Sequence, residues 1–239
     1  MAGHSQFANI KHRKEAQDAK RSKIFTKIQR EIYSAIKSCG GEANETFNPR
    51  LRLAILKGKS LNMQKDKIDA AIKKALGVGM AENFENIRYD SFAPNGVGII
   101  IEALTDNKNR TAGEVRAIIT KHNGNMTETG SLDFTFKHLG VILYAKEGII
   151  FDRLFEIAVE LGAENVEEFD ECFEITTKFE DFHKVQTGLV EIFKSPLSAG
   201  IEYRANAPVK LNNEQMESIN KFVDALEDLD DVQHVWASV

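Results

Sequence analysis

The spacing of apolar residues changes near residue 80, and this change constrains the fold more than any other feature of the chain. Before it, isoleucine recurs every four residues from Ile24 to Ile36, which is the spacing of an amphipathic helix. After it, short apolar runs such as GVGIIIEAL and GVILYA are typical of β-strands, and segments with helical spacing separate them. A chain of 239 residues divided in this way predicts an α+β protein with more than one domain.

Residues 1–80 predict a bundle of three helices. The isoleucine-bearing helix ends at a Gly-Gly pair, and a second helix over PRLRLAILKGKS follows Asn48, a good N-cap residue, with proline in its first turn. NMQKDKIDAAIKKALGVG predicts a third helix with Asn62 as its N-cap. The buried stripe of this third helix is predicted to contain Ile68, Ile72 and Leu76. Amphipathic helices joined by short connections form small bundles of this kind.

The remainder of the chain predicts two α/β domains. From about residue 140 to 206 the order is strand, helix, strand, strand, helix, strand, as in a ferredoxin-like domain. The segments on either side predict a second, similar unit closed by a C-terminal helix and strand. Within it, Thr111 and Glu114 have the spacing of a capping box. SLDFTF alternates strictly, which predicts a strand with Leu132, Phe134 and Phe136 on one buried face.

Electric charge is also divided between the two parts of the chain. The formal net charge is -5, yet residues 1–80 carry 17 Lys and Arg against 7 acids, a local net charge of +10. Residues 81–239 carry 14 basic and 29 acidic side chains, a net charge of -15. This division indicates a basic module for a polyanion joined to an acidic remainder. The alternative is a dipolar protein whose two parts attract each other.

The positive charge is most concentrated in residues 9–32, which carry eight Lys and Arg side chains against three acids. On a helix, an arc of about 80° contains Lys20, Lys23, Lys27 and Arg30, and the centre of the isoleucine stripe lies more than about 100° away. Such a face can follow a phosphate backbone, although most charge runs are ordinary solvated helix faces. The residues predicted to contact nucleic acid are Lys11, His12, Arg13, Lys14, Lys20, Arg21, Lys23, Lys27 and Arg30.

No group of residues in the sequence predicts catalysis, a cofactor or a metal. The GKS at residues 58–60 lacks the upstream glycine of a phosphate-binding loop. The six histidines are scattered, and Cys39 and Cys172 lie far apart, which fits a reducing cytoplasm. Glu102 and Asp106 are the acids on which an enzyme would depend, but no nucleophile or base accompanies them. No apolar run reaches the roughly 18 residues of a membrane span, so we expect a binding protein without membrane contact.

The opening MAGHSQFANIKHRKEAQDAKRSKIFTKIQREI resembles the signature start of the YebC/PmpR family. The similarity continues through NPRLRLAI, NMQKDKIDAAIKK, YDSFAPNGVGIIIEALTDNKNRTAGEVR and GNMTETGSLDFTF. The resemblance implies an α+β multidomain protein in which the last domain is inserted in the middle one. The implied domains are a basic helical bundle at 1–80, a ferredoxin-like middle domain at 81–133 and 206–239, and a second ferredoxin-like domain at 134–205.

The same resemblance implies a cytoplasmic, DNA-binding transcriptional regulator. Other relatives act on translation, among them a mitochondrial translational activator of cytochrome oxidase and bacterial members linked to stalled ribosomes. Ribosomal RNA is therefore the alternative partner to DNA, and both need polyanion binding. We expect a non-enzymatic nucleic-acid-binding regulator with no cofactor and no metal, in which the acidic α/β domains can bind a protein partner.

Overall fold

The computed structural model describes residues 23–77 and 84–239, and their helices and strands confirm an α+β fold. The helices of these residues are α1 (23–38), α2 (Pro49–Ser60), α3 (Lys65–Leu76), α4 (Lys108–Lys121), α5 (Phe151–Leu161), α6 (Phe182–Phe193) and α7 (Asn213–Glu227). The strands are β1 (Glu85–Phe92), β2 (Gly98–Thr105), β3 (Asn125–Thr127), β4 (Phe136–Ala145), β5 (Asn165–Glu168), β6 (Cys172–Lys178), β7 (Ser198–Ala205) and β8 (Val232–Ala237).

The chain divides into two compact units that are each discontinuous in sequence. The first combines the N-terminal helices up to Leu76 with His138–Glu202. The second combines the segment that ends at Lys137 with Tyr203–Val239. The three domains and boundaries expected from the sequence remain a prediction, since this division describes compactness only.

The N-terminal helices form because apolar side chains recur on one face of each. Ile28, Ile32 and Ile36 of α1 are completely buried, as their spacing predicts. Asn48 caps α2, with its side-chain oxygen accepting a hydrogen bond from the Leu51 amide at 3.0 Å. The prediction for α3 was partly wrong. Leu76 is 48% exposed, and the buried residues of the helix are Ile68, Ala71 and Ala75.

The sheet of the first unit has the strand order of a ferredoxin-like domain. The order is β5-β6-β4-β7, and β6 pairs antiparallel with both β4 and β5. Helices α5 and α6 cover one face, where Leu154 and Phe182 join the buried core. Leu53 of α2 packs against the same core, and Arg52 Nη1 lies 3.4 Å from Thr187 Oγ1 of α6. The N-terminal helices and this sheet therefore share buried surface inside one unit.

The second unit is also a four-stranded sheet with two helices on one face. Its order is β3-β1-β2-β8, with β1 pairing β2 from Glu85 opposite Thr105 to Phe92 opposite Gly98. Val115 of α4 and Phe222 of α7 lie in the core between the helices and the sheet. Along the chain, this unit begins with the hairpin β1-β2, whereas the α/β part of the first unit begins with β4 followed by α5. The strand orders of the two sheets therefore differ.

Two local predictions in the second unit were wrong. The N-cap of α4 is Asn107, whose side chain accepts from the Arg110 amide at 3.1 Å, so Thr111 lies inside the first turn. Residues 131–135 form turns rather than a strand. Leu132 and Phe136 are buried as expected, whereas Phe134 is 94% exposed. Successive bonds from Thr135 N and Phe136 N to Leu132 O give this segment a nearly helical period, which places Phe134 opposite its two neighbours.

Candidate nucleic-acid interface

The basic face of α1, defined here as Lys23, Lys27 and Arg30, lies on the side of the helix away from the buried isoleucines. The three residues are spaced by four and by three positions, so they share one side of the helix. Lys23 is exposed, and Lys27 and Arg30 are half-buried. The other predicted contacts, Lys11, His12, Arg13, Lys14, Lys20 and Arg21, lie outside the described residues.

Contacts with the other N-terminal helices hold α1 in place. Glu31 forms an ion pair with Lys57 of α2, with 2.6 Å between Oε1 and Nζ. The ammonium of Lys67, on α3, lies 5.2 Å from the centre of the Phe25 ring. Lys57 and Lys67 therefore join α2 and α3 to α1, and the charge of each lysine faces an acid or an aromatic ring.

Helix α3 and the end of α2 present further cations that sequence reasoning did not assign to binding. The exposed lysines of these helices are Lys59, Lys65, Lys67, Lys73 and Lys74. The local net charge of +10 already contained them. They were not assigned because they do not follow one helical face in the sequence, whereas the residues around α1 do.

Asp106, one of the two acids considered for catalysis, belongs to a hydrogen-bonded cluster. Asp106 Oδ1 accepts from Arg110 Nη2 at 2.8 Å, and the same nitrogen donates to Asp231 Oδ2 at 2.7 Å. Asp231 also accepts from the hydroxyls of Thr105 and Thr111. Burial would raise the pKa of Asp231, but these hydrogen bonds outweigh it and the pKa lies below its ordinary value. The cluster joins α4 to the loop before β8, which is a structural role.

Within residues 23–77 and 84–239, no three His, Cys, Asp or Glu side chains come close enough to one another to hold a metal ion. In the same residues, no helix is both long and apolar enough to cross a bilayer.

The Phe134 turn, residues 128–135, is a second surface feature and was missed by sequence reasoning. Its ring is more exposed than any other large apolar side chain of the described residues. Gly130, which has φ +91, and the flanking Thr129 and Ser131 are residues typical of turns, and they were the available signal. The alternation of SLDFTF concealed the turn. Leu132 and Phe136 are four residues apart, so they lie on one side both of a strand and of a helical turn.

Comparison with known proteins covers nearly the whole chain. The TACO1/YebC protein N-terminal domain matches residues 5–78, and the TACO1/YebC second and third domain matches residues 84–239. A probable transcriptional regulatory protein of Rickettsia bellii is 46% identical over 239 residues, which is all of this chain and 93% of that protein. One from Wolbachia pipientis is 45% identical over 98% of this chain and 96% of that protein.

A solved structure shares the fold. The crystal structure of a conserved hypothetical protein from Aquifex aeolicus superposes with a TM-score of 0.80 at 38% sequence identity, covering 92% of this chain and 90% of that one. Domain matches at both ends of the chain and full-length relatives lead to one conclusion. The chain belongs to the TACO1/YebC family.

Proposed function

We propose that this protein is a non-enzymatic regulator of transcription that binds DNA, and that its basic N-terminal helices contact the phosphates. The single observation that carries the proposal is the separation of α1 into a buried isoleucine face and a basic face. Lys and Arg suit phosphate contact because attraction between charges requires no particular base geometry. The names of the relatives, probable transcriptional regulatory proteins, support the same class of function.

The charge of the rest of the chain explains why the contact is local. Residues 81–239 have a net charge of -15 and repel a polyanion, so the N-terminal helices are the part of the chain to which it is attracted. The proposed contact residues are the basic face of α1 together with the six predicted cations that precede it. Neutralising phosphates releases condensed counterions, which makes the affinity strongly dependent on salt.

The first experiment measures the affinity of the full chain for a labelled DNA duplex as the salt concentration is raised. With six or so phosphates neutralised, the dissociation constant rises by roughly a thousandfold between about 50 and about 200 mM salt. A dissociation constant that stays level over this range contradicts phosphate-driven binding.

The second experiment identifies the nucleic acid. Crosslinking in cells followed by sequencing of the bound nucleic acid is expected to recover promoter DNA. Recovery of ribosomal RNA, together with sedimentation of the protein with ribosomes, would replace transcription by translation. In vitro, a promoter regulator prefers its own duplex sequence over random DNA by a factor well above about ten.

We also propose a protein partner for the acidic α/β domains. Helix α5 exposes Phe155 and Val159 one turn apart, at 44% and 49% exposure, with Glu156 and Glu160 beside them. An apolar strip with carboxylates along one side fits a basic amphipathic partner. Phe155→Ser is expected to weaken binding to such a partner while leaving the affinity for DNA unchanged, and an equal loss of both would contradict two separate surfaces.

A further inference from the structure

Helix α5 carries two apolar side chains that the packing of the first unit leaves uncovered. Ala158 faces the core, whereas Phe155 and Val159 remain exposed one turn apart. Another side of α5 faces α6, because a methyl group at Gly188 of α6 would lie 2.5 Å from Cδ2 of Leu161. At about 100° per residue, Phe155 and Val159 lie well over about 100° around the helix from Leu161. The exposed pair is therefore on the side of α5 away from α6.

That side of the helix faces the edge strand β5. The strand order is β5-β6-β4-β7, so β5 is outermost at one end and β7 at the other. Helix α5 connects β4 to β5, and α6 connects β6 to β7. Because α6 thus lies toward the β7 end, the side of α5 away from it faces the β5 end.

Ring contacts connect the exposed pair to this edge. The ring centre of Phe151 lies 6.0 Å from that of Phe155 and 5.6 Å from that of Phe173. Phe173 of β6 pairs with Glu168 of β5, and Val166 of β5 belongs to the same core as Ala158. The apolar contacts of α5 therefore reach the last strand of the sheet.

Among the described residues, no strand pairs with the outer edge of β5. The strand spans Asn165–Glu168, and its ladder partner is β6. In an antiparallel ladder, alternate residues direct their N–H and C=O groups to opposite sides, so alternate residues of β5 direct theirs outward. Such an edge is a template for one more strand.

The exposed pair on α5 and an added strand have matching periods. Phe155 and Val159 are four residues apart, which is a rise of about 6 Å along a helix. Side chains on one face of a strand recur every two residues, about 6.6 Å apart. A strand added beside β5 therefore presents two alternate side chains to these two residues in turn. An apolar residue at each of the two positions covers the exposed pair.

The charge around this edge specifies the partner. Residues 151–171 contain eight acids and one basic side chain, Arg153, a net charge of -7. All eight acids are exposed, among them Glu156 and Glu160 of α5 and Glu167 of β5. A concentration of one sign of charge attracts a segment of the opposite sign and repels a polyanion. The edge therefore fits a basic polypeptide.

The same charge excludes a second copy of this chain. Two β5 strands paired edge to edge would place their acids opposite one another, and like charges directly opposite destabilise a sheet. Short, charged edge strands protect sheets from such self-pairing. That protection does not account for the two exposed apolar side chains of α5, and it leaves the edge open to a strand of opposite charge.

We infer that β5 and α5 bind an extended basic segment of a partner protein, which adds to the sheet as a fifth strand beside β5. Apolar residues at alternate positions of the segment cover Phe155 and Val159, and its Lys or Arg residues face the surrounding acids. This inference rests on the protein partner proposed above for the acidic domains and specifies how that partner binds. Backbone hydrogen bonds supply affinity, and the alternate side chains supply specificity.

The probe is a labelled synthetic peptide in which valine alternates with lysine, titrated against the full chain. Two further versions carry N-methyl groups, one on all valine amides and the other on all lysine amides. Because alternate residues of a strand direct their amides to the same edge, one of these versions blocks the edge that meets β5. We expect that version to lose affinity by about tenfold or more, and the other to bind like the unmodified peptide.

Substitutions of apolar residues locate the site on the chain. Phe155→Ala combined with Val159→Ala is expected to weaken binding of the unmodified peptide about 10- to 100-fold. The matched control is Ile192→Ala, which removes an exposed apolar side chain of α6 and is expected to change no affinity. Hydrogen exchange provides an independent readout, since peptide binding is expected to slow exchange at alternate amides of β5.

Substitutions of acids test the charge. Glu156→Gln combined with Glu160→Gln is expected to weaken peptide binding about three- to tenfold, and raising the salt concentration is expected to reduce this difference. The control combines Glu180→Gln with Glu191→Gln, which removes two exposed acids elsewhere in the first unit and is expected to leave the affinity unchanged. Equal losses for the two pairs would contradict a local acidic site.

The outcomes separate the mode of binding from the existence of a partner surface. If both N-methylated versions bind equally well and the α5 double variant still binds weakly, strand addition fails and the proposed partner surface stands. If the α5 double variant binds normally, both fail. If the unmodified peptide does not bind at low salt, both fail as well. The proposed DNA contact is tested separately by its own salt titration.

Discussion

Helix α1 and the Phe134 turn are both surface regions, and they differ in how their side chains are held. The basic face of α1 consists of long, flexible side chains on a helix whose opposite side is buried. The Phe134 turn is a short segment whose backbone is hydrogen-bonded to Asp90 and Asn206. Charges attract over several ångströms and tolerate flexible attachment, whereas hydrogen bonds to a buried carboxylate fix a backbone in one place. The two regions therefore differ in rigidity.

The largest expected effect comes from Asp90→Ala, which removes the buried carboxylate that holds the Phe134 turn. The substitution leaves the Arg88 guanidinium partly buried without its carboxylate and leaves the amides of Gly130 and Leu132 without acceptors. We expect the free energy of unfolding to fall by about 3–5 kcal/mol, measured by urea denaturation.

The control is Asp133→Ala, which removes the exposed carboxylate that pairs with the same arginine. We expect a loss below about 1 kcal/mol, because exposed ion pairs contribute little. Equal losses for the two variants would mean that the turn is not held by its buried carboxylate.

The second-largest expected effect tests the basic face of α1. Replacing Lys23, Lys27 and Arg30 together by glutamine removes three proposed phosphate contacts. We expect the slope of log affinity against log salt to become shallower by about 2.7, and the affinity at about 0.1 M salt to fall on the order of a hundredfold. A fluorescence-anisotropy titration at several salt concentrations measures both. The same three changes at Lys121, Lys210 and Lys221 of the second unit provide the control, and a comparable loss there would contradict a localised contact.

The third effect provides a baseline, because it lowers stability without touching either region. In Gly140→Ala the new methyl would lie 2.3 Å from Cδ2 of Phe182 and 2.4 Å from Oγ1 of Thr177. We expect the free energy of unfolding to fall by about 1–3 kcal/mol through overpacking, with the affinity of the folded protein unchanged. Gly113→Ala, in the helix α4 with open space around it, is expected instead to raise stability by about 0.5–1 kcal/mol. Thermal melts of both variants distinguish crowding from a general intolerance of substitution.

The smallest effect concerns the acid beside the basic face. Glu31→Gln removes the pairing of Lys57 and makes α1 more positive. We expect affinity for nucleic acid to rise about twofold and the free energy of unfolding to fall by less than about 1 kcal/mol. Glu217→Gln breaks a similar exposed pair with Lys221 in the second unit and is expected to leave affinity unchanged. A tighter complex for both variants would indicate net charge rather than position as the cause.

Features that depend on neighbouring residues were predicted well from the sequence. The buried isoleucines of α1 and the Asn48 cap need only the helical period and one side chain beside its own backbone. The cap of α4 was misplaced because Thr111 and Glu114 have the spacing of a capping box, whereas in the folded chain the side chain of Asn107, four residues earlier, caps the helix. Leu76 was assigned to the core because it continues the four-residue spacing of Ile68 and Ile72, whereas Ala71 and Ala75 are the residues buried beside Ile68 in α3.

The sequence by itself determined the order of the helices, the division of charge and the position of most strands, although the strand predicted over SLDFTF is a turn and β3 was not predicted. These follow from local periodicity and composition, which every window of the chain contains. Only the tertiary structure decided the conformation of SLDFTF. Asp90, some forty residues earlier, accepts hydrogen bonds from the amides of Gly130 and Leu132 and so holds the segment as a turn. A pattern read along the chain does not contain that long-range partner, and so the exposed ring of Phe134 became visible only once β1 and the turn were brought together.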